Sequence, residues 1–507
     1  MSLRALGVRR AHLAALLAIL AAFLATRLSM YDRLPYLGDE ALHGQFSQKI
    51  AHSVGKAFIS LTIAKEPLEL WFGAVWIKLG LSPLHAIRVV SVLAGLVTLV
   101  MVGLLARRLA GAGAALATMG LYALLPFFVV HDVIGIMDPL LVATTVTALY
   151  LQLELSERPR AITAVGLGLA MAAAILTKES GKVAVALLPL SLLAFDWSAG
   201  DRRARLLRWG GCALLALAFA AGGYALLRSS SLYGHVHGIR SNPLLYPVRP
   251  LSDALHHPWS IARRSLPVYR TALLAYVTIP VLVAGAAGLV VLAREYPRRA
   301  VLLCVWIAGP FAAAVLLPYN PYARHILFAM PPGVVLAGIG LGRGGALVTG
   351  RLGDGARGRL AVGVALLALM TPALLLDGRI LSDPARAHYP GPDDYQYVTG
   401  ISGGSIWPAV TAEVRRLSRG RSSTTVVRMQ AATEVLELML HDPRVHFVYA
   451  NQPAAQRATI VVRDIVPFGD VNANALLARR GAGAFRLVAT FTRPRGSGAV
   501  RVYARPG

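Results

Sequence analysis

Tyr36-Leu37-Gly38-Asp39-Glu40-Ala41-Leu42-His43 follows closely on the first long apolar run of the chain, residues 11–30. About twenty apolar-dominated residues are what an α-helix needs to cross the hydrocarbon layer of a bilayer. Two adjacent carboxylates therefore stand where the chain leaves a membrane. Charge beside apolar helices costs free energy and is seldom needed for insertion. The pair Asp39 and Glu40 is thus the first candidate for chemistry, and the remaining apolar runs are expected to build a site around it.

The composition agrees with a membrane protein. The 507 residues are 56% hydrophobic and 15% charged, with a mean hydropathy of +0.58, whereas a soluble chain carries about a quarter charged residues. The apolar runs are continuous and do not alternate, which argues for helices and against a barrel. Lys plus Arg is 51 and Asp plus Glu is 25, a net charge of +26. Such a charge suits nucleic acid, but the basic residues fall in short clusters between apolar runs and so read as determinants of membrane orientation. No nucleic-acid partner is expected. Cys212 and Cys304 lie inside apolar runs and imply no disulfide framework. Arg4, Arg9 and Arg10 precede the first run, but no small-residue cleavage site follows it, so it reads as a retained helix.

Eleven crossings are expected, at approximately 11–30, 86–106, 113–130, 138–154, 161–177, 182–197, 210–228, 271–293, 300–317, 324–342 and 359–377. Alternate connections are basic, among them Arg107-Arg108, Arg202 to Arg208 and Arg294 to Arg299, while His131 to Met137 and Leu317 to Ala323 hold no Lys or Arg. The bias places the N-terminus in the cytoplasm, and an odd number of crossings places the tail outside. Two long outer connections, about 31–85 and 229–270, are expected to carry function. After Asp377 the composition changes. The expected organisation is a transmembrane domain over residues 1–380 and an extracytoplasmic α/β domain over 385–507. In the latter, helices near 406–417 and 434–440 and strands near 424–427, 445–449, 459–462 and 485–488 are expected.

Further candidates lie on the same outer side. Asp138, in Met137-Asp138-Pro139-Leu140, opens the fourth crossing; it suits a site facing water, and it equally suits a helix cap, as does Asp39 after Gly38. Lys178 and Lys182 lie between the fifth and sixth crossings, Arg324-His325 opens the tenth after Pro318-Tyr319-Asn320-Pro321-Tyr322, and Lys65-Glu66 lies in the first outer connection. Cations on the outer face run against the orientation bias, and an anionic ligand would compensate. Snorkelling into the interface is the plainer role for Lys65 and Lys182. No metal is required. A divalent ion would draw on Asp39, Glu40 and His43 at helical spacing and on His235, His237, His256 and His257, but no close-spaced ligand signature accompanies them.

In their order and sidedness, Gly38-Asp39-Glu40, Lys65-Glu66-Pro67-Leu68, Met137-Asp138-Pro139-Leu140, Leu176-Thr177-Lys178-Glu179, Tyr322-Ala323-Arg324-His325-Ile326-Leu327 and Tyr395-Gln396-Tyr397-Val398-Thr399-Gly400 resemble the C-type (GT-C) polytopic glycosyltransferases. The resemblance is closest to family 39, which holds the protein O-mannosyltransferases and the aminoarabinose transferases of lipid A. It implies a GT-C fold of about 11 transmembrane helices with a small soluble C-terminal domain, in the cytoplasmic (inner) membrane. It also implies inverting transfer of a sugar from a polyprenyl-phosphate donor to a hydroxyl acceptor on the outer face. Carried over, Asp39 is the base, Glu40 and Asp138 shape the acceptor site, and Lys178, Arg324, His325 and Lys65 hold the lipid phosphate. His43, Glu66, Tyr319 and Tyr322 are supporting residues. The Lys65-Glu66-Pro67 order departs from the Glu-Lys-Pro of the aminoarabinose transferases, and Lys178-Glu179-Ser180-Gly181 departs from the usual Lys-Gly. The partners implied are the donor, membrane lipids and an acceptor that the sequence does not name. The competing function is a lipid or sugar transporter, which would more often show two related halves and broken central helices.

Overall fold

The computed structural model describes residues 3–505 except 199, 241–247, 354, 401–402, 429–432, 466–476, 479–483 and 497. The helices are α1 (Leu3–Tyr31), α2 (Gly38–His52), α3 (Leu68–Lys78), α4 (Pro83–Leu124), α5 (Pro126–His131), α6 (Met137–Glu157), α7 (Ala161–Thr177), α8 (Val183–Ala186), α9 (Arg202–Arg228) and α10 (Tyr233–Arg240). They continue as α11 (Leu251–His256), α12 (Pro258–Ala272), α13 (Ile279–Glu295), α14 (Pro297–Leu316), α15 (Met330–Leu352), α16 (Ala356–Ser382), α17 (Pro392–Asp394), α18 (Trp407–Ser418) and α19 (Thr433–Leu440). By length and apolar character alone, seven helices among the described residues qualify as membrane spans, or eight if a bent pair counts as one. Eleven crossings are expected from the sequence and fewer helices qualify by these criteria; the differences lie at α4, α7 and residues 182–197 and 271–293.

Helix α4 carries two of the expected crossings. Gly111 breaks it at φ 86°, a conformation that glycine adopts without steric cost. Gly103 then lies against the side chain of Met119, although a straight helix would hold them about 24 Å apart, so the chain folds back at the glycine. The crossing expected at 182–197 is drawn out: 3₁₀ turns at Glu179–Lys182 and Leu188–Ala194 flank the single α-turn of α8. The larger rise of 3₁₀ backbone lets these few residues span about 30 Å. The crossing expected at 271–293 begins later, at Ile279. There the chain turns by 94° at Thr278, whose φ is 74°, and Pro280 restarts the helix because its missing N–H is not needed in a first turn. Helix α7 is apolar but has 17 residues and falls short of a full span.

The turn between α1 and α2 is fixed by one buried ion pair. Arg88 of α4 and Glu40 of α2 are both 0% exposed. The guanidinium donates from Nε to Glu40 Oε1 at 2.8 Å and from Nη2 to Oε2 at 3.0 Å. It also donates to the carbonyls of Tyr31, Leu34 and Pro35, and it lies 4.0 Å from the centre of the Tyr36 ring. Glu40 in turn accepts from the backbone N–H of Leu37 and of Gly135, each at 2.7 Å. One carboxylate thereby joins α2, α4 and the turn before α6.

The tail forms a five-stranded sheet in the order β2-β1-β3-β5-β4, built from β1 (Thr424–Arg428), β2 (Val445–Tyr449), β3 (Ile460–Ile465), β4 (Arg486–Thr492) and β5 (Ala499–Ala504). Strand β1 pairs in parallel with β2 and β3, and β5 pairs antiparallel with β3 and β4. The domain rests on α2: Ala41 and Leu84 share an apolar cluster with Trp407, Val410, Leu436 and Leu438, and Gln45 Nε2 donates to Glu437 Oε2 at 3.0 Å. The connecting segment is no loose linker. Tyr389 and Tyr397 belong to the core of the helical domain, and a Cβ on Gly404 would lie 1.9 Å from the carbonyl oxygen of Tyr36, so this stretch of chain packs directly on the turn before α2.

Replacing Arg88 by alanine strands Glu40 as a buried charge, a change that costs about 3–5 kcal/mol. Thermal unfolding in detergent should show a large loss for Arg88→Ala and a smaller one for the double variant Arg88→Met/Glu40→Gln. Equal losses would show that the ion pair does not hold the turn.

Candidate active site

Asp39 is the second residue of α2, and Asp138 is the second residue of α6. Neither is the helix cap that its position suggested. Leu37 and Ile136 are the capping positions, and the Leu37 N–H is taken by Glu40. Both carboxylates are left free to point elsewhere, while the first turn of a helix still favours their negative charge. Each finds a cation. Arg324 Nη2 donates to Asp39 Oδ2 at 2.9 Å, and Lys178 Nζ donates to Asp138 Oδ1 at 2.7 Å.

These cations come from breaks in regular structure. Lys178 caps the end of α7 in an extended conformation. Arg324 follows Tyr322 at the start of the 3₁₀ turn Ala323–Ala329, which leads into α15. The guanidinium lies 5.5 Å from the Tyr322 ring, and His325 Nδ1 accepts from the Tyr322 N–H at 3.4 Å. Lys65 stands within electrostatic reach of Asp39, Lys178, Arg324 and Asp138 and forms no ion pair among the described residues. Burial holds its ammonium below the usual lysine value, opposed by the charge of Asp39. For Asp39, burial pushes the carboxyl up, but Arg324 and then Lys65 outweigh it and hold the group well below the usual carboxylate range. The Asp39 side chain keeps 45% of its surface accessible, against 13% for Arg324. The site is therefore charged and open enough to admit a ligand.

Other expected members lie elsewhere. Glu40 is saturated by Arg88 and backbone N–H groups and has no free oxygen for a substrate, so its assignment to catalysis is corrected to a structural one. His43 is buried, with Nδ1 2.8 Å from Glu69 Oε2; it serves that carboxylate. Glu66 is buried and pairs with Arg240 of α10 at 2.5 Å; burial pushes its carboxyl up, with Arg240 opposing. Tyr319 stacks under Arg249 at 4.4 Å and is not part of the cluster. Lys182 pairs with Glu179. The metal set does not assemble: Asp39, Glu40 and His43 each face a different partner, and no group of three acidic, histidine or cysteine ligands converges among the described residues. The side chain of His237 and the stretch 241–247 of the connection after α9 lie outside the described residues.

Two residues escaped notice in the sequence. Arg88 left a signal, as a charge within the apolar run His85-Ala86-Ile87-Arg88-Val89-Val90. Arg240 left none. It bridges Glu66 and Glu179 and so ties the connection that holds α10 to the one between α2 and α3.

Residues 64–222 match the sequence profile of a family described as dolichyl-phosphate-mannose-protein mannosyltransferase. No curated protein matches the chain. Among solved structures, the chain is similar to ArnT from Cupriavidus metallidurans in the apo state, with 18% identity, a TM-score of 0.54 and coverage of 97% of this chain and 98% of that one. The same protein bound to undecaprenyl phosphate gives 17%, 0.53, and 96% and 97%. An Archaeoglobus fulgidus oligosaccharyltransferase in the apo form gives 14%, 0.54, and 89% and 69%. At such identities the likeness carries the fold: the chain is a polytopic membrane protein of the GT-C fold.

Because the folded Asp39 carboxyl titrates below its unfolded value of 3.8, its pairing adds stability above that pH and loses it as the pH falls through the depressed folded value. Arg324→Gln removes the strongest attraction, so the folded value should rise. The gap in melting temperature between wild type and variant should be widest near neutrality and close as the medium is acidified. A gap that stays constant with pH would show that the pairing is not charge-linked.

Proposed function

We propose that this chain is an inverting glycosyltransferase that moves a sugar from a polyprenyl-phosphate donor to a hydroxyl acceptor, and that it works on the extracytoplasmic face of the cytoplasmic membrane. The observation that carries this is the pairing of the water-accessible Asp39 and the buried Asp138 with two cations at one mouth of the helical domain, beside Lys65, whose ammonium has no ion pair among the described residues. The family match over residues 64–222 and the structure of ArnT with undecaprenyl phosphate support a lipid-phosphate donor. The basic connections at the opposite helix ends support the orientation. The charges gather at helix ends and not at mid-membrane, where a transporter keeps its site.

In this mechanism the donor phosphate enters between Lys65, Lys178 and Arg324 and competes with Asp39 and Asp138 for their cations. Arg324 offers a planar fork and the lysines point charges, both suited to phosphate oxygens. Once Arg324 turns to the phosphate, Asp39 is released to accept a proton. The acceptor oxygen attacks the anomeric carbon and forms the new C–O bond while its proton passes to Asp39. The bond from the anomeric carbon to the phosphate oxygen breaks on the opposite face, and its electron pair leaves with the lipid phosphate. That group gains negative charge as it departs, and the cations stabilise it as it forms. Asp138 orients Lys178 and borders the acceptor.

The test is an in vitro assay of the purified chain with a panel of polyprenyl-phosphate sugars and NMR of the product anomer. Asp39→Asn should lower turnover more than ~100-fold, as for loss of a positioned base. Lys178→Ala and Arg324→Ala should each cost about 10²–10³ in rate, as for loss of a group that stabilises developing charge. Unchanged turnover in folded Asp39→Asn, or a product of retained configuration, would overturn the proposal.

A further inference from the structure

The sugar-transfer proposal makes no use of a polar cavity at the other end of the helices. Glu157 closes α6, the helix that Asp138 opens, so the cavity beside Glu157 lies about 30 Å from the candidate site, roughly one hydrocarbon thickness away. It has a volume of about 540 Å³, within the usual range of small-molecule sites. Phe195 and Leu193 form an apolar wall, and Arg205, Tyr296, Arg298 and Arg299 bring polar groups from α9 and the start of α14. Trp197 and Tyr296 are 40% and 43% exposed, as aromatic side chains are at the level of lipid headgroups.

The charges around this cavity are already sorted. Glu157 is held by Arg108 at 2.6 Å and by Arg299 at 3.0 Å. Asp196 is held by Arg205 at 3.3 Å, Glu295 by Arg343 and Glu154 by Arg108. Arg205 also donates to the Glu157 carbonyl at 3.1 Å, which fixes its fork at the rim. Arg298 alone of the lining arginines forms no ion pair among the described residues. Three arginines and three carboxylates line the cavity, but Arg108 and Arg343, from outside the lining, take part of the pairing with Glu157 and Glu295, so the exposed guanidinium of Arg298 is left without a carboxylate among the described residues.

We propose that this cavity binds the headgroup of a phospholipid carrying a single negative charge, with its phosphodiester on Arg298 and its acyl chains leaving along the Leu193–Phe195 wall. Basic pockets between membrane helices hold lipid headgroups by this combination of charge and depth. A guanidinium without a carboxylate partner favours an anionic over a zwitterionic lipid, and the apolar wall favours a lipid over a free anion. The inference rests on the placement of the helices across a membrane and is independent of sugar transfer.

The test is native mass spectrometry of the full chain in detergent, titrated with phosphatidylglycerol, with phosphatidylcholine and with inorganic phosphate. Wild type should retain one tightly held phosphatidylglycerol. Arg298→Glu should weaken that binding at least tenfold, with an unchanged melting temperature in lipid-free detergent. Arg357→Glu, at an exposed arginine outside the cavity lining, should leave it intact. Equal loss in both variants, equal retention of phosphatidylcholine, or displacement of the lipid by inorganic phosphate would each overturn the proposal.

Discussion

The buried pairing of Arg88 with Glu40 is the constraint on which the candidate site depends. A guanidinium has five N–H donors and no way to lose its charge, so burying one demands acceptors in every direction. Here two lie on Glu40 and the others on the carbonyls of Tyr31, Leu34 and Pro35. In the turn between α1 and α2 the N–H groups of Arg33 and Leu34 bond back to Met30, while the carbonyls of Tyr31, Leu34 and Pro35 receive their donor from Arg88. Asp39 is the neighbour of Glu40 on α2. Adjacent helix residues diverge by about 100°, so locking Glu40 inward aims Asp39 outward, toward Arg324.

The candidate site has the same economy of charge in its resting form. Each carboxylate is matched to one cation, so the buried Asp138 in particular does not stand as an isolated charge, which would be costly. Lys65 is the exception among the described residues, and a cation without an ion pair among matched pairs is where an anion gains most. A phosphate that binds there also takes Arg324 from Asp39. Under the proposed sugar transfer, the arrangement would link donor binding to the release of Asp39, through competition for one guanidinium without any need for a moving domain.

Much of this was legible in the sequence because lipid leaves few alternatives. Backbone in hydrocarbon must be helical or form a closed barrel, so continuous apolar runs gave the helical class directly, and carboxylates and cations at the ends of those runs marked Asp39, Asp138, Lys178 and Arg324. What failed were choices between neighbours and choices of partner. Nothing in Asp39-Glu40 tells which carboxylate faces the site until Arg88 is placed, 48 residues on in the chain. Sequence spacing suggested that Asp39, Glu40 and His43 share ligands, yet each was claimed by a different element. Strand β5 was missed although Val500, Val502 and Ala504 alternate inward and β4, just before it in the chain, is one of its partners.

The position of the sheet domain follows from the same turn. Gly404 packs against the backbone of Tyr36, and Leu438 of α19 reaches Gly44 of α2, so the tail rests on the helix that carries Asp39. Tyr276 donates to Asp393 at 2.9 Å, and His131 lies 3.3 Å from the same carboxylate, which pins the connecting segment into the helical core before the sheet begins. A domain merely tethered by a linker would need none of these contacts. Two anchors, one on α2 and one beside α5, bracket the turn that Glu40 and Arg88 hold. The sheet domain is thereby part of the structure that keeps Asp39 in place, and the direction of that carboxylate is set by residues from both ends of the chain.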